Sequence, residues 1–174
     1  ESAYVTAITR GMADGLLLIL PRHPEAYLES LRHQHFPYIL IDHQGIGDYI
    51  RSVGATNWQG AYDATRYLIE LGHRRIGFVT GDMELGCSAD RLAGYQAALL
   101  EAGLADDPAL VAPGDFFQPS GFAAGQAFLA WPARPTAIFT SNDQMAFGVI
   151  EAGRDRRPHV PRDLTAAGCR CIHL

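Results

Sequence analysis

The sequence predicts an α/β fold with mainly parallel sheets. Short apolar runs alternate with segments of helical periodicity along nearly the whole chain, and Gly, Pro or polar clusters separate them. Hydrophobic residues make up 48% of the 174 residues, which is enough for a packed core. Strands joined by helices run parallel, and right-handed crossovers place helices on both faces, so a doubly wound arrangement is expected.

The first elements lie in the N-terminal third of the chain. The run DGLLLILP, 14–21, is a buried strand with a turn on each side, and 23–35 is helical with Pro24 suited to the first turn. PYILID, 37–42, is a strand that ends in a carboxylate. The segment 43–56 has no regular pattern and predicts an irregular crossing.

A strongly patterned block follows. Residues 57–72 predict a helix that Asn57 caps and Gly72 ends, because Asn favours N-caps and Gly the position after the last turn. A second helix at 88–103 starts with Ser88 as its cap. The other predicted elements are strands at 74–81, 109–116, 136–140 and 164–169, helices at 120–131 and 143–153, and a polar loop at 154–163.

The irregular segment also marks a domain boundary, since it separates two well-patterned blocks. We expect residues 1–50 to form part of an N-terminal lobe and residues 51–174 to form a C-terminal lobe.

Composition excludes several classes of function. The net charge is −5 and the basic residues are scattered, so the chain lacks the basic face that grips DNA phosphates. All 14 basic residues are Arg, which excludes Schiff-base chemistry and a Walker A lysine. Three Cys give no regular disulfide framework and indicate a reducing, cytoplasmic compartment. No apolar run approaches the roughly 18–20 residues that a membrane span needs.

Polar side chains follow the predicted strands at the edge where ligands bind in open α/β sheets. A carboxylate, an Arg fork and an amide together suit a small polyhydroxyl or polar heterocyclic ligand, and Phe116 or Trp58 could cover its apolar face. The polar candidates are Asp42, the loops 81–87 and 115–120, Arg91, and Asn142 with Asp143.

Each candidate has a structural alternative. Asp143 is assigned to helix capping rather than to ligand binding. Asn142 could be only a turn residue, and Asp42 could cap a loop. Arg91 could form an exposed ion pair with a nearby Asp, an interaction of little energetic value.

Catalytic and metal readings find little support. GCSAD, 86–90, lacks the second Gly of a nucleophile elbow, and GHRRIGFVTG, 72–81, is not a dinucleotide loop. CRCIH, 169–173, invites a metal site but lacks a second matched pair of ligands. We therefore predict no catalytic residue, no metal and no cofactor.

Three runs in order resemble the lac repressor (LacI/GalR) family of bacterial transcription regulators. They are SVGATNWQGAYDATRYLIELGHRRIGFVTG at 52–81, SADRLAGYQAALLEAG at 88–103 and PTAIFTSNDQMAFGV at 135–149. The strands at 14–21 and 37–42 fit the family's preceding strands, so the resemblance covers about residues 12–165.

The resemblance implies a periplasmic-binding-protein-like fold of two doubly wound lobes, the first of them incomplete here. It implies a small-molecule effector in the cleft between lobes, mostly a sugar in this family and a purine in one branch. It also implies a homodimeric, cytoplasmic repressor. Carried over by position, Asp42, Arg91 and Asn142 form the hydroxyl-binding trio, Phe116 is the stacking aromatic, and Cys87 and Ala55 line the pocket.

The chain departs from the family pattern at both ends. The family starts with a helix-turn-helix of about 60 residues and a βαβ unit, neither of which is among these 174 residues, so operator DNA is expected to be bound through a domain outside them. At the other end, AAGCRCIHL, 166–174, has Arg170 where the family has its first acid. The alternative function is a periplasmic-type sugar-binding protein of a transport system.

Overall fold

A computed structural model describes residues 12–20, 25–42, 51–155 and 164–169. The regular elements alternate as the sequence pattern predicts. Along the chain they are β1 (Leu16–Ile19), α1 (Glu25–His33), β2 (Tyr38–Ile41), β3 (Ser52–Val53), α2 (Asn57–Glu70), β4 (Ile76–Val79), α3 (Gly86–Glu101), β5 (Val111–Ala112), α4 (Gln118–Leu129), β6 (Ala137–Thr140), α5 (Asp143–Asp155) and β7 (Thr165–Gly168).

The chain divides into two compact units. The first runs to Ala55 and includes Glu84–Cys87, while the second contains Thr56–Met83 and continues from Ser88. The sequence analysis placed the boundary after residue 50, so the structure moves residues 51–55 to the first unit. The reason is the short strand β3, which pairs with β2 within the segment expected to be irregular.

The first unit holds a parallel sheet with the order β1-β2-β3. Helix α1 covers one face of it, with Leu28 and Leu31 packed in a buried cluster with Leu40. The opposite face exposes Leu17 and Ile19, whose relative accessibilities are 67% and 68%. In the described residues, therefore, only one face of this sheet carries a helix.

The second unit holds a four-stranded parallel sheet with the order β5-β4-β6-β7. The chain leaves β4 to one side to form β5, then crosses back to form β6 on the other side of β4. The direction of winding therefore reverses between β4 and β6. The strand predicted at 109–116 is shorter than expected, because Pro108–Leu110 forms a 3₁₀ helix before the two residues of β5.

Helices cover both faces of the second sheet, as the doubly wound prediction requires. On one face, α2 and α3 pack Leu68 and Tyr95 against Phe78 and Phe139 of the central strands. On the other face, α4 and α5 pack Phe128 and Val149 with Ile138. The alternation of side chains along a strand explains how neighbouring residues of β6 reach opposite cores.

The sequence predicts correctly the residues that end helices α2 and α3, but not the residues that cap their N-termini. Gly72 and Gly103 adopt φ values of +97° and +65° just past α2 and α3, which confirms that both glycines end their helices. Asn57 and Ser88 are not caps, since α2 starts at Asn57 and α3 at Gly86. Asn57 bonds to another helix instead, and the buried Ser88 hydroxyl has no hydrogen-bond partner among the described residues.

His73 joins the starts of two strands. Its Nδ1 lies 2.9 Å from the Thr136 hydroxyl and its Nε2 lies 3.1 Å from the Thr165 hydroxyl. Burial lowers the pKa of His73. The imidazole is thus a cross-link between β6 and β7 at the edge opposite their carboxyl ends, a role that spacing alone does not reveal.

Helices α4 and α5 approach each other unusually closely through glycine. A Cβ at Gly148 would lie 2.2 Å from the carbonyl oxygen of Gln118 and 2.5 Å from the amide nitrogen of Phe122. A Cβ at Gly121 would lie 2.2 Å from the carbonyl oxygen of Met145. The obstructing atoms are backbone, so neither position can accept a side chain unless a helix moves.

We predict opposite effects for two Gly→Ala substitutions inside helices. Gly148→Ala should lower the free energy of unfolding by about 1–3 kcal/mol, because it overpacks the α4–α5 contact. Gly60→Ala should raise it by roughly 0.5–1 kcal/mol, because among the described residues the added Cβ would meet only Cys169 Sγ, at 3.8 Å. Denaturant titration measures both changes. An unchanged free energy of unfolding in Gly148→Ala would contradict the close approach of α4 and α5.

Candidate functional site

The carboxyl ends of β4 and β6 form the natural ligand edge of the second sheet. Helix α3, which follows β4, packs on one face, and α5, which follows β6, packs on the other. The two chain segments therefore leave the sheet toward opposite faces, which makes this the switch point where open α/β sheets bind ligands. Predicted site residues Arg91, Phe116 and Asn142 all come from segments that lie at this edge.

A buried arginine connects three elements at the switch point. Arg91 of α3 is only 2% exposed. Its Nε and Nη2 both donate to Asn57 Oδ1 at the start of α2, at 3.1 and 2.7 Å. Its Nη1 donates to the carbonyl oxygen of Ser141, just after β6, at 2.8 Å.

This geometry excludes the exposed ion pair that was the structural alternative for Arg91. The guanidinium lies inside the protein and bonds to an amide and a backbone carbonyl. Burying a cation is costly unless polar groups surround it, so the partners of Arg91 must be held firmly. Ser141 is held in this way, since its N–H and its hydroxyl both donate to the carbonyl oxygen of Val79 at 3.0 Å.

Phe116 provides an aromatic surface beside the arginine. The guanidinium carbon of Arg91 lies 5.7 Å from the centre of the Phe116 ring, which is within cation–π range. The ring lies directly on Gly81, where a Cβ would be 2.0 Å from a ring carbon. Phe116 has a φ of +71°, a conformation that a bulky side chain adopts only when its surroundings impose it.

Asn142 bonds to two neighbouring segments. Its Oδ1 accepts from the N–H of Met145 at 3.0 Å, and its Nδ2 donates to the carbonyl oxygen of Phe116 at 2.7 Å. The first bond makes Asn142 the N-cap of α5. The sequence analysis had assigned the cap to Asp143, and that assignment is wrong. Asp143 is the first helical residue, and a negative charge there is stabilised by the positive end of the helix dipole.

The loop around Phe116 has its own hydrogen bonds. Asp115 Oδ1 accepts from the N–H of Phe117 at 2.9 Å, and the N–H of Asp115 donates to the Ser120 hydroxyl at 3.2 Å. The Ser120 hydroxyl, and next the Phe117 N–H, lower the pKa of Asp115. The carboxylate therefore serves the loop, although it is exposed at the site edge.

Of the remaining predicted residues, Asp42, Ala55 and Cys87 belong to the first unit and Trp58 belongs to the second. Asp42 directly follows β2, is partly buried and has a φ of +53°. Ala55 is exposed, and Cys87 is a buried cysteine outside any disulfide, in the first turn of α3 and four residues before Arg91. Trp58 stacks on Tyr62 with ring centres 5.1 Å apart, so its ring is engaged within α2.

The sequence did not predict the parts that three residues play in this site. It assigned Asn57 to a helix cap, placed Gly81 in the candidate loop 81–87 without a role of its own, and did not single out Ser141. Asn57 and Ser141 matter because they meet Arg91 across 34 and 50 positions of chain, and Gly81 because the Phe116 ring rests on it. The usable signal is the Gly immediately after the buried run IGFVT, since an open strand end lets a side chain lie on the backbone.

The described residues hold neither a candidate metal cluster nor a helix that could span a membrane. The described part of the chain has no group of three or more His, Cys, Asp or Glu placed to hold a metal ion. The CRCIH reading rests on Cys171 and His173, which lie outside the described residues, as does Arg170. None of the helices in the described ranges has the length and apolar character needed to cross a bilayer.

Comparison with known proteins places this architecture in a family. Residues 65–171 match a periplasmic binding protein-like domain. The HTH-type transcriptional repressor PurR of Escherichia coli O139:H28 is 36% identical over 170 residues, which are 97% of this chain and 50% of that protein. A LacI-family regulatory protein from Chloroflexus aggregans superposes with a TM-score of 0.85 at 30% identity, over 95% of this chain and 60% of the other.

The chain belongs to the LacI/GalR family. A further solved structure, the complex of the transcriptional regulator CelR with cellobiose, superposes with a TM-score of 0.88 at 30% identity, over 95% of this chain and 51% of its own. The chain spans about half the length of the curated relatives it matches. The parallel sheets with intervening helices match those of LacI/GalR domains, which confirms the predicted fold class.

We predict that the Arg91 network is needed for folding as well as for function. Arg91→Ala should lower the free energy of unfolding by several kcal/mol, because a buried acceptor that loses its donor costs about 1–3 kcal/mol. The matched control is Arg66→Ala, since Arg66 is 55% exposed and pairs with Glu70 on α2. That control should cost at most roughly 0.5 kcal/mol. Equal midpoints for the two variants in denaturant would contradict the buried network.

Proposed function

We propose that this chain senses a small-molecule effector, a sugar, for a bacterial LacI/GalR transcription regulator whose complete form binds operator DNA. The observation that carries the proposal is the buried guanidinium of Arg91 beside the partly exposed ring of Phe116 at the switch point. A fixed polar group next to an aromatic face is suited to a sugar, which has hydroxyl edges and an apolar C–H face.

The comparisons support a sugar without naming one for this protein. CelR was solved with cellobiose, and its chain superposes on this one over 95% of the present length. A purine remains the second effector class, on the resemblance to the family branch that binds it. We further propose Asp42, Ala55 and Cys87 as effector-binding residues, together with Arg91 and Phe116. Asn142, which the family resemblance also assigns to the effector, lies in the same site with its amide bonded to Phe116.

Binding rather than catalysis is the proposed activity. The relatives are transcription regulators, and this supports a regulator over the transport alternative. A regulator of this kind works in the cytoplasm. An effector that binds one arrangement of the protein more tightly than another shifts the population between them, and the shift alters DNA binding elsewhere in the chain.

We also propose a homodimer, with the outer side of α4 and α5 as its contact surface. Phe117 and Phe147 are 63% and 62% exposed there. They lie next to Gln118 and Gly148, which touch at the α4–α5 crossing, so the two rings flank one helix pair. Large exposed aromatic residues on a rigid helix pair are typical of protein interfaces.

Effector binding should appear as thermal stabilisation of the protein. A panel of monosaccharides and disaccharides that includes cellobiose should contain a member that raises the melting temperature with concentration, since a ligand at 100 times its Kd stabilises by about 2.7 kcal/mol. Phe116→Leu keeps most of the volume but loses the aromatic face. The substitution should lower the affinity for that sugar by up to about tenfold.

Two results would argue against this function. One is a panel in which no sugar stabilises the protein while a purine base does, which would move the effector to the other class. The other is an unchanged sugar affinity in Phe116→Leu, which would remove the aromatic face from the site. Tyr67→Leu on the exposed side of α2 controls for the loss of an aromatic ring.

The dimer surface has a direct test by sedimentation. Phe147→Asp should convert dimers to monomers, because a buried unpaired carboxylate opposes association. Tyr67→Asp, at a site that is 60% exposed on α2, should leave the dimer intact. A protein that is monomeric before any substitution, or a Phe147→Asp dimer, would contradict the proposed surface.

A further inference from the structure

We infer that Asn142 is a positioning residue, whose side-chain amide fixes the Phe116 ring over Gly81 and beside Arg91. The family resemblance assigns Asn142 to direct effector contact, so the inference gives it a different part in the same site. That this site binds an effector rests on the proposed function. The positioning of the Phe116 ring by Asn142 rests on four contacts within the second unit, which are described below.

The orientation of the Asn142 amide is determined by its partners. Oδ1 faces a backbone N–H, that of Met145, and Nδ2 faces a backbone carbonyl, that of Phe116. A flipped amide would set N–H against N–H and oxygen against oxygen, so only one orientation satisfies both. The shorter bond, 2.7 Å, is the one to Phe116. The Asn142 side chain is therefore bonded most closely to the backbone of Phe116.

Phe116 needs such a hold because its backbone is in a disfavoured region. Its φ of +71° is expected of Gly and rarely of a bulky residue. Such a conformation persists only when surrounding contacts impose it. The bond from Asn142 grips the carbonyl of this same residue, and the loop bonds of Asp115 and Ser120 hold the segments on either side.

The position of the ring depends on the backbone held in this way. The ring lies on Gly81, with a hypothetical Cβ only 2.0 to 2.5 Å from three ring carbons. The same placement brings the ring within 5.7 Å of the Arg91 guanidinium. If the backbone of Phe116 relaxed to negative φ, the ring would leave both neighbours. Asn142, at the start of α5, thus determines the position of the Phe116 ring.

The test exchanges amide for carboxylate at two places in one helix turn. Asn142→Asp keeps the oxygen that caps α5 but removes the N–H that holds Phe116, and Gln144→Glu makes the same change at an exposed neighbour. The readout is the NMR position of the Gly81 α protons, which the Phe116 ring shifts upfield. Asn142→Asp should lose this shift, as Phe116→Leu does, and Gln144→Glu should keep it.

Folding and ligand binding are followed separately. Asn142→Asp should melt close to the parent protein, because Asp is also a good N-cap. Should that variant unfold, Asn142→Ser, which can cap but cannot reach Phe116, replaces it in the same spectrum. A Gly81 shift that survives in a folded variant without the Asn142 donor would overturn the inference, whether or not any sugar binds.

The effector titration provides a second, independent outcome. If Asn142 acts through Phe116, then Asn142→Asp should weaken the sugar in the parent protein and add no further loss in a Phe116→Leu background. Equal fold-losses in both backgrounds would mean that Asn142 touches the effector itself, and would overturn the inference while leaving the proposed function in place.

Discussion

The arrangement of the second unit depends on a buried guanidinium. Arg91 carries a formal charge into a site that is 2% exposed, and this is tolerable only when its N–H groups meet fixed acceptors. Those acceptors come from the start of α2 and the end of β6. One side chain on α3 therefore ties together the segments on both sides of the switch point. Disturbing any of them exposes the charge to an incomplete set of partners.

The surroundings of Arg91 extend this constraint to the other face of the sheet. Ser141, which accepts from Arg91, is itself bound to Val79 at the end of β4. The next residue, Asn142, caps α5 and holds Phe116. Helix α5 in turn packs on α4 without intervening side chains at Gly121 and Gly148. A ligand at this edge would thus act on tightly packed segments, which have few intermediate arrangements, and this suits a switch between discrete states.

Sequence patterning predicted the order and type of the elements because their causes are local. Buried strands are apolar runs, and Gly72 and Gly103 end helices through a backbone conformation that Gly adopts readily. Asn57 is not an N-cap because its side chain bonds to Arg91 across 34 positions of chain, and Ser88 is not one because α3 begins two residues earlier, at Gly86. The strand edge pointed to Arg91, Phe116 and Asn142, but their partners could not be read from spacing. The domain boundary shifted to Ala55 because a two-residue strand, β3, has too little pattern to recognise.

Side-chain NMR of protein labelled with ¹⁵N at arginine tests the central claim most directly. The Nε–H group of Arg91 is buried and bonded to Asn57 Oδ1, whereas Arg66 is 55% exposed on α2. In deuterated water, the account predicts that the Arg91 Nε–H signal persists long after the Arg66 signal has exchanged. Exchange of the two signals at the same rate would show that the guanidinium is open to solvent and would contradict the account.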